Sequence, residues 1–248
     1  MISQDSYTEF AYLYDTFMED VPYEEWASFF DALLKSYGND VKDVLDLGCG
    51  TGKMTRLLQS KGYNMIGVDV SEDMLCVATE ACDDILYINQ DMRELALIEQ
   101  QDAIISCCDC INYLTLDEDV VQTFKCVYKA LSAGGLFIFD FNTIYKYETV
   151  IGDTTIAENR EDCSFIWENF YSPQDHINEY DVTFFTKIDD DEDVFRRFTE
   201  THVQRGYTLE EMKRFAQKAG FKYVVALDES THKEPTSVSE RIYLVLRK

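Results

Sequence analysis

Between residues 41 and 140, short apolar runs alternate with segments of helical character, and this alternation constrains the fold more than any other feature of the chain. Apolar residues recur at helical spacing in residues 53–61, 72–81 and 118–131. Short buried strands separated by helices are typical of βαβ units, whose strands run parallel in one sheet. A doubly wound α/β sheet is therefore predicted. Its strands are expected at VKDVLDL, YNMIGVD, DILYIN, DAIISC and GLFIFD.

The segment after residue 140 has a different pattern. Residues 164–171, 179–188 and 194–204 are rich in aromatic and β-branched side chains, partly alternating with polar ones. This composition is typical of strands that bury one face. We therefore predict an antiparallel β-sheet inserted after the fifth strand of the α/β sheet.

The end of the chain returns to the α/β pattern. Residues 208–219 have helical periodicity, and strand-like runs follow at 222–227 and 241–246. Two further strands make the predicted sheet seven-stranded, mostly parallel and Rossmann-like. We expect one Rossmann-like domain over residues 1–141 and 206–248, with residues 142–205 forming an inserted antiparallel lid that contributes to substrate binding.

Charge and composition limit the partners and the location. The formal net charge is −25, because 47 acidic residues outnumber 22 Lys and Arg. Such a chain repels polyanions, so nucleic acid is disfavoured as a partner. No apolar run is long enough to cross a bilayer, and MISQDSYTEF lacks the regions of a secretory signal. We expect a cytoplasmic protein with reduced cysteines. Cys107 and Cys110 form one CxxC without a second pair, so no metal site is predicted.

Three glycines follow the first predicted strand at alternate positions. Gly48, Gly50 and Gly52 lie between Asp46 and a helix predicted to begin at Lys53. Glycine permits a tight turn and lets helix-start amides approach a ligand. A dinucleotide loop needs glycine in place of Lys53, and a phosphate loop needs glycine and a hydroxyl where leucine and methionine stand. The remaining pattern, DxGxGxG, resembles the first motif of class I S-adenosylmethionine-dependent methyltransferases.

This resemblance implies a cofactor site across the ends of the first three strands. Asp69 ends the second strand, where a carboxylate can accept hydrogen bonds from both ribose hydroxyls. Its alternative role is to cap the next helix, although Ser71 can do this. Asp91 and Met92 follow the third strand, where such enzymes cap the adenine; a plain turn is the alternative. The predicted cofactor contacts are Tyr14, Trp26, Asp46, Gly48, Cys49, Gly50, Gly52, Asp69, Val70, Met74, Asp91, Met92 and Cys107.

Two segments are candidates for acceptor binding. Asp109, Asn112 and Tyr113 follow the fourth strand, and in such folds this segment lies where the cofactor meets the acceptor. The alternative is a loop whose polar groups satisfy its own backbone. Arg205 and Tyr207 are the second candidate, because they could bind an anionic group of the acceptor. For the arginine, a salt bridge is the alternative.

His202 is the candidate general base. Strand alternation places Glu200, His202 and Gln204 on one face. Histidine can take a proton from an amine or hydroxyl near neutral pH, which favours a catalytic role. A structural histidine bonded to Glu200 or to a backbone group is the alternative.

The resemblance extends over the whole chain. The chain is similar to the YqeM-type methyltransferases of Gram-positive bacteria in PYEEW, LDLGCGTG, GVDVSEDML, NQDMREL, CCDCINYL, SFIWENF, ETHVQRGY and TLEEM. YDTFM, the glycine motif and QDMREL also resemble N-methyltransferases of nucleotide-linked amino sugars, in which an inserted sheet covers the active site. In those enzymes an N-terminal tyrosine lies near the sulfonium, which implies this position and a catalytic role for Tyr14. Trp26 lies in the matching helix, where a core role is the alternative.

We therefore expect methyl transfer from S-adenosylmethionine to a small-molecule amine or hydroxyl by in-line displacement, with S-adenosylhomocysteine as product. The acidic charge and a covered pocket favour a small acceptor. An RNA or protein acceptor is the alternative, and binding of the cofactor without turnover is another. RNA would be favoured if one surface gathered Lys53, Arg56, Lys61, Lys213, Arg214 and Lys218.

Overall fold

The structure is a computed structural model that describes residues 21–161, 163–188 and 194–248. The strands, in chain order, are β1 (Asp43–Leu47), β2 (Asn64–Asp69), β3 (Leu86–Asn89), β4 (Gln101–Ser106), β5 (Leu131–Asn142), β6 (Thr155–Asn159), β7 (Cys163–Ser172), β8 (Ile177–Lys187), β9 (Phe195–Arg205), β10 (Lys222–Asp228) and β11 (Arg241–Arg247). The α-helices are α1 (Tyr23–Tyr37), α2 (Lys53–Ser60), α3 (Glu72–Ala81), α4 (Asp117–Ala130) and α5 (Leu209–Ala219). Short 3-10 turns cover Met92–Glu94 and Cys110–Tyr113, and a π-helical turn covers Lys146–Ile151.

Seven strands form one twisted sheet in the order β10-β11-β5-β4-β1-β2-β3. β1 pairs in parallel with β2 and β4, β2 with β3, and β4 with β5. β11 is antiparallel to both of its neighbours. The prediction of a seven-stranded, mostly parallel sheet is confirmed. The chain leaves β1 toward β2 on one side and reaches β4 on the other, so a crevice opens at the carboxyl end of β1.

The second sheet is an antiparallel meander in the order β6-β7-β8-β9 and lies between β5 and α5 in the chain. The predicted insertion after β5 is therefore confirmed. Sequence reasoning identified the segments of β7, β8 and β9 but missed β6. This edge strand, TIAEN, is short and mostly exposed, so it lacks the apolar alternation that marks a half-buried strand.

Helices cover both faces of the seven-stranded sheet. On one face Phe124 of α4 and Phe215 of α5 pack against β1, β4, β5 and β11. On the other, Phe30 of α1 and Leu58 of α2 pack against the opposite side of the same strands. All four side chains are fully buried, and burial of such a side chain contributes roughly 1.5–3 kcal/mol. The two apolar layers fix the sheet, and with it the edge where β1, β2 and β4 end.

Helix boundaries follow local signals in the sequence. Thr208 and Glu211 form a reciprocal capping box at the start of α5, and Gly220 ends this helix in the left-handed conformation. Ser71 caps α3 by accepting a hydrogen bond from the amide of Met74. Among the helices described, none has both the length and the apolar character needed to span a membrane.

Candidate active site

The glycine loop after β1 is held in a conformation that requires glycine. Gly48, Gly50 and Gly52 have φ angles of 81°, 53° and 74°, in the left-handed region that is costly for other residues. A Cβ atom on Gly48 would lie 2.7 Å from the Sγ of Cys110, and one on Gly52 would lie 2.5 Å from the hydroxyl of Tyr87. A Cβ atom on Gly50 would meet nothing within 4 Å. Gly48 and Gly52 therefore allow tight packing, whereas Gly50 faces open space.

That space is a cleft of about 700 Å³, bounded by the glycine loop, the ends of β2 and β4, and the inner face of the inserted sheet. Its volume is in the range of small-molecule sites, roughly 300–1,000 Å³. Thirteen of the predicted site residues line it: Asp46, Gly48, Cys49, Gly50, Asp69, Val70, Met74, Asp91, Met92, Cys107, Asp109, Tyr113 and His202. The crevice predicted from the strand pattern therefore brings most of the predicted residues together.

Asp69 connects β2 to the glycine loop. Its Oδ2 accepts a hydrogen bond from the amide of Gly50 at 2.8 Å, and its Oδ1 accepts one from the amide of Ser71 at 2.9 Å. Burial raises the pKa of Asp69, while these amide donors lower it. Because Ser71 caps α3, the carboxylate is not needed as a helix cap. A carboxylate has about four acceptor positions, so Asp69 keeps capacity for the hydroxyls of a ligand.

Asp46 lies beneath the loop and is 1% exposed. Thr55 donates a hydrogen bond to its Oδ2 at 2.6 Å. Burial raises the pKa of Asp46 to about 7; the Thr55 hydroxyl lowers it, and the nearby Asp69 raises it further. A second carboxylate close to Asp69 makes the base of the cleft acidic.

Asp91 is already bound by a neighbour. Arg93 donates to it through its amide and through its guanidinium, with a 2.5 Å contact between Nη2 and Oδ2. These hydrogen bonds lower the pKa of Asp91. Met74 and Met92 add apolar surface to the same end of the cleft. The location fits the predicted adenine end, but the carboxylate of Asp91 is largely satisfied by Arg93.

We call the end of the cleft at the glycine loop, Asp69 and Met74 the cofactor end, and the opposite end at Tyr113, Tyr180 and His202, where acceptor binding is predicted, the acceptor end. At the acceptor end, side chains from distant parts of the chain form a connected group. The hydroxyl of Tyr113 lies 3.0 Å from the Nδ1 of His202 and 3.2 Å from the hydroxyl of Tyr180. The rings of Tyr180 and His202 stack with centroids 4.9 Å apart. The Nε2 of His202 lies 3.5 Å from Oε2 of Glu200, whose side chain is 3% exposed. A proton acceptor therefore stands between a hydroxyl that lines the cleft and a buried carboxylate.

Asp109 lines the cleft but acts as a structural link. It has a left-handed backbone with φ of 51°. Arg241 Nη2 donates to its Oδ1 at 2.7 Å, and Gln204 Nε2 donates to its Oδ2 at 2.7 Å. Its amide donates to Asp140 at 2.9 Å. Burial raises the pKa of Asp140 to about 6, although Arg241 opposes this. The network joins β4, β5, β9 and β11 beneath the acceptor end, and sequence analysis missed both Arg241 and Asp140.

Three residues predicted to bind the acceptor lie away from the cleft, and these predictions are corrected. Asn112 is fully buried and joins β5 to β9 by donating to the carbonyls of Asn142 and Arg205 at 2.9 and 2.7 Å. Arg205 pairs with Asp117 at 2.8 Å and also bonds Glu211 and the carbonyl of Thr115. Tyr207 is buried in the core, where its hydroxyl donates to the carbonyl of Leu114. These hydrogen bonds and ion pairs connect the three side chains to backbone groups and carboxylates of the protein and not to the cleft.

Two predicted cofactor contacts also lie outside the cleft lining. Gly52 faces Tyr87 in the packing beneath α2. Trp26 is half-buried beside Tyr23 and Arg241, with ring and guanidinium 5.7 Å apart. Tyr14 falls outside the described residues, so its predicted catalytic and cofactor roles remain predictions.

Sequence analysis missed the aromatic wall of the cleft. Phe165 and Trp167 of β7 and Tyr180 and Phe184 of β8 line it from the inserted sheet. Phe184 also packs against Met74 of α3, so the wall closes onto the cofactor end. The alternation within SFIWENF was the available signal, because it places Phe165 and Trp167 on one face.

This fold, in which the glycine loop borders an open cleft and faces Asp69 at the end of β2, is that of a class I S-adenosylmethionine-dependent methyltransferase. A family model described as a methyltransferase domain matches residues 44–135. YqeM of Bacillus subtilis (strain 168), which carries the name of a methyltransferase, is 35% identical over 246 residues, covering 98% of this chain and 97% of that protein.

Solved structures of methyltransferases share this fold. An S-adenosylmethionine-dependent methyltransferase from Clostridium acetobutylicum is 29% identical, with a TM-score of 0.87 and 98% of each chain covered. An amino pentose methyltransferase from Micromonospora echinaspora, solved with S-adenosylmethionine bound, shares the fold at 16% identity, with a TM-score of 0.77 and 95% of each chain covered. The chain belongs to the family of S-adenosylmethionine-dependent methyltransferases that includes YqeM.

Proposed function

We propose that this methyltransferase acts on a small-molecule amine or hydroxyl. The observation that carries the proposal is the group of Tyr113, His202 and Glu200 across the cleft from the glycine loop, in which Tyr113 is hydrogen-bonded to His202 and the other ring nitrogen of His202 lies 3.5 Å from Glu200. Amines and hydroxyls must lose a proton when they are methylated, and this group provides a route for it.

The described residues fit the cofactor. Gly50 leaves open space beside the cleft, and Asp69, which accepts a hydrogen bond from the Gly50 amide, has spare acceptor capacity for ribose hydroxyls. Met74 and Met92 would pack on the adenine. When bound, the cofactor would supply an electrophilic methyl group and a leaving sulfur that retains the electron pair of the S–CH3 bond.

The proton then follows the side chains of the acceptor end. As the acceptor gains its new bond to carbon, its proton passes to the Tyr113 oxygen while the Tyr113 proton passes to Nδ1 of His202. This requires the tautomer in which Nδ1 is the acceptor and Nε2–H points to Glu200. The buried carboxylate stabilises the positive charge that forms on the imidazole. Aromatic side chains of the inserted sheet line this end, and they would exclude water once the acceptor is bound.

Two observations support a small acceptor over a nucleic acid. The cleft is covered by the inserted sheet, which suits a compact ligand more than a polymer. The basic residues whose convergence would favour RNA lie either in α2 and at its C-terminal end or in α5, and these two helices pack on opposite faces of the seven-stranded sheet. The amino pentose methyltransferase with the same fold also carries a small acceptor in its name.

The test is to incubate the protein with methyl-labelled S-adenosylmethionine and a cell extract, and then to separate small molecules, RNA and protein. We expect label in the small-molecule fraction, and none with Asp69→Ala, which should bind the cofactor weakly. Label in RNA or protein would replace the proposed acceptor class. Cofactor binding without label in any fraction would favour a binding protein that has no turnover.

A further inference from the structure

The charges that line the cleft are unevenly distributed. Among the described residues, the lining contains two cations, Lys53 and Arg93. Lys53 begins α2 next to the glycine loop and lies over the ring of Tyr23, with Nζ 4.7 Å from its centroid. Arg93 is bound to Asp91 and Asp119. Both cations therefore belong to the cofactor end, and the acceptor end has none among the lining residues described.

Arginines near the acceptor end are neutralised by carboxylates. Arg241 is bound by Asp109 at 2.7 Å and by Asp140 at 3.3 Å. Arg205 is bound by Asp117 and Glu211. An anionic acceptor would have to displace one of these buried or half-buried pairs, which costs more than the new contact returns.

The segments that the structure leaves undescribed bring no basic side chain either. Residues 1–20, residue 162 and residues 189–193 contain no Lys, Arg or His. This follows from the sequence and holds wherever these residues lie. A phosphate or carboxylate at the acceptor end would therefore find no Lys or Arg among the described residues that line this end of the cleft.

Glu200 gives the acceptor end a negative potential. Glu200 of β9 pairs with Val182 of β8, which in turn pairs with Trp167 of β7. Because Trp167 and Val182 line the cleft, Glu200 lies on the same, cleft-facing side of the inserted sheet. It is 4% exposed, and neither carboxylate oxygen has a hydrogen-bond partner among the described residues. A buried carboxylate with so little compensation is costly unless a positive charge comes near it. His202, at 3.5 Å, provides one only when it is protonated.

Aromatic rings complete a site that suits a cation. Trp167 and Tyr180 lie 5.2 Å apart between ring centroids and face the cleft beside His202. The faces of such rings attract ammonium groups. We propose that the acceptor is an amine that enters the cleft as a cation, and that phosphorylated and carboxylated compounds are excluded. This deepens the proposed function and rests on it for the methyl transfer, because the ammonium must first lose one proton, through Tyr113 to Nδ1 of His202, before the nitrogen lone pair can take the methyl group.

Binding of simple charge-matched probes tests the proposal without methyl transfer. The chain has two tryptophans, so Trp26→Phe leaves Trp167 in the cleft as the only tryptophan reporter. With saturating S-adenosylhomocysteine present, its fluorescence is titrated with benzylamine, benzyl alcohol and phenyl phosphate. We expect benzylamine to bind about tenfold more tightly than phenyl phosphate and about fivefold more tightly than benzyl alcohol.

Two variants locate the source of the preference. Glu200→Gln should remove most of the difference between benzylamine and benzyl alcohol. Glu168→Gln removes the same charge from an exposed, outward-facing position of β7 and should leave the difference unchanged.

Phenyl phosphate binding most tightly to the unmodified cleft would overturn the proposal, whether or not the variants fold. If Glu200→Gln and Glu168→Gln prefer benzylamine over benzyl alcohol to the same degree, Glu200 is not the source of the preference for a cation. A benzylamine preference in a protein that methylates no extract fraction would support the charge inference and count against the proposed function alone.

Discussion

The two ends of the cleft are built in different ways. The cofactor end consists mainly of backbone from one turn together with Asp69, and the hydrogen bond between Asp69 and Gly50 spans 19 residues of chain. The acceptor end consists of side chains, and the contact between Tyr113 and His202 spans 89 residues. The first end depends on local conformation and the second on how the inserted sheet docks. A family can therefore keep one cofactor while the acceptor end changes with the insertion.

The largest effect that separates the two ends is expected from His202→Gln. The amide keeps a polar side chain in the sheet but cannot act as a base, so methyl transfer should fall about 100-fold. Cofactor affinity should stay within about twofold, because His202 lies at the acceptor end. Initial rates with labelled cofactor, together with calorimetric titration of S-adenosylhomocysteine, measure both quantities.

His176→Gln is the matched control for this prediction. His176 contacts Tyr171 at the turn between β7 and β8 and does not line the cleft. Its loss should leave both the rate and the affinity nearly unchanged. Equal losses of rate in the two variants would show that imidazoles stabilise the inserted sheet and would remove His202 from the chemistry.

Asp69→Asn should have the next largest effect, and on the opposite end. Loss of a charge-assisted acceptor costs about 1.5–3 kcal/mol, so affinity for S-adenosylhomocysteine should fall about 30-fold. Asp91→Asn is the comparison, because the carboxylate of Asp91 is already engaged by Arg93. Its effect on affinity should stay below about threefold. Similar losses in the two variants, measured by calorimetry, would return Asp91 to the adenine site as the sequence predicted.

Sequence reasoning reached the cofactor end because its signals are local. Strand periodicity, three glycines and an acid at the end of the next strand predicted the seven-stranded sheet and the crevice where Asp69 meets Gly50. Each of these features concerns neighbours in sequence or the common edge of a parallel sheet. The insertion was also predicted, since its longer strands bury one face.

The acceptor end was only partly predictable. Asn112, Arg205 and Tyr207 have the side chains of a binding site, yet they hold β5, β9 and α4 together. Periodicity does not reveal which polar side chain meets a backbone carbonyl from a distant strand. For the same reason the pairing of Arg241 with Asp109, across 132 residues, was missed.

Gly50→Ala gives a smaller effect that tests the shape of the cofactor end. Gly50 and Gly62 both have positive φ, at 53° and 100°, and an added Cβ would meet nothing within 4 Å at either. Each alanine should therefore cost about 1 kcal/mol of stability. Only Gly50→Ala places its methyl group in the cleft, so it alone should weaken S-adenosylhomocysteine binding, by about tenfold. Thermal melts of both variants measure the cost of backbone strain, and calorimetry measures whether the added methyl group blocks S-adenosylhomocysteine. An equal loss of affinity in Gly62→Ala would mean that backbone strain alone explains the effect of Gly50→Ala.

The smallest functional effect is expected from Arg205→Gln, at the border between the two sheets. The side chain of Arg205 is 15% exposed and is held by Asp117 and Glu211. Its loss should leave those carboxylates partly unpaired and lower the free energy of unfolding by about 2 kcal/mol. Methyl transfer to the labelled extract fraction should stay within about twofold below the melting transition, since Arg205 does not line the cleft. A variant of normal stability that loses most of its transfer activity would instead place an anionic group of the acceptor on Arg205. The acceptor end would then recognise charge of the opposite sign from that implied by Glu200.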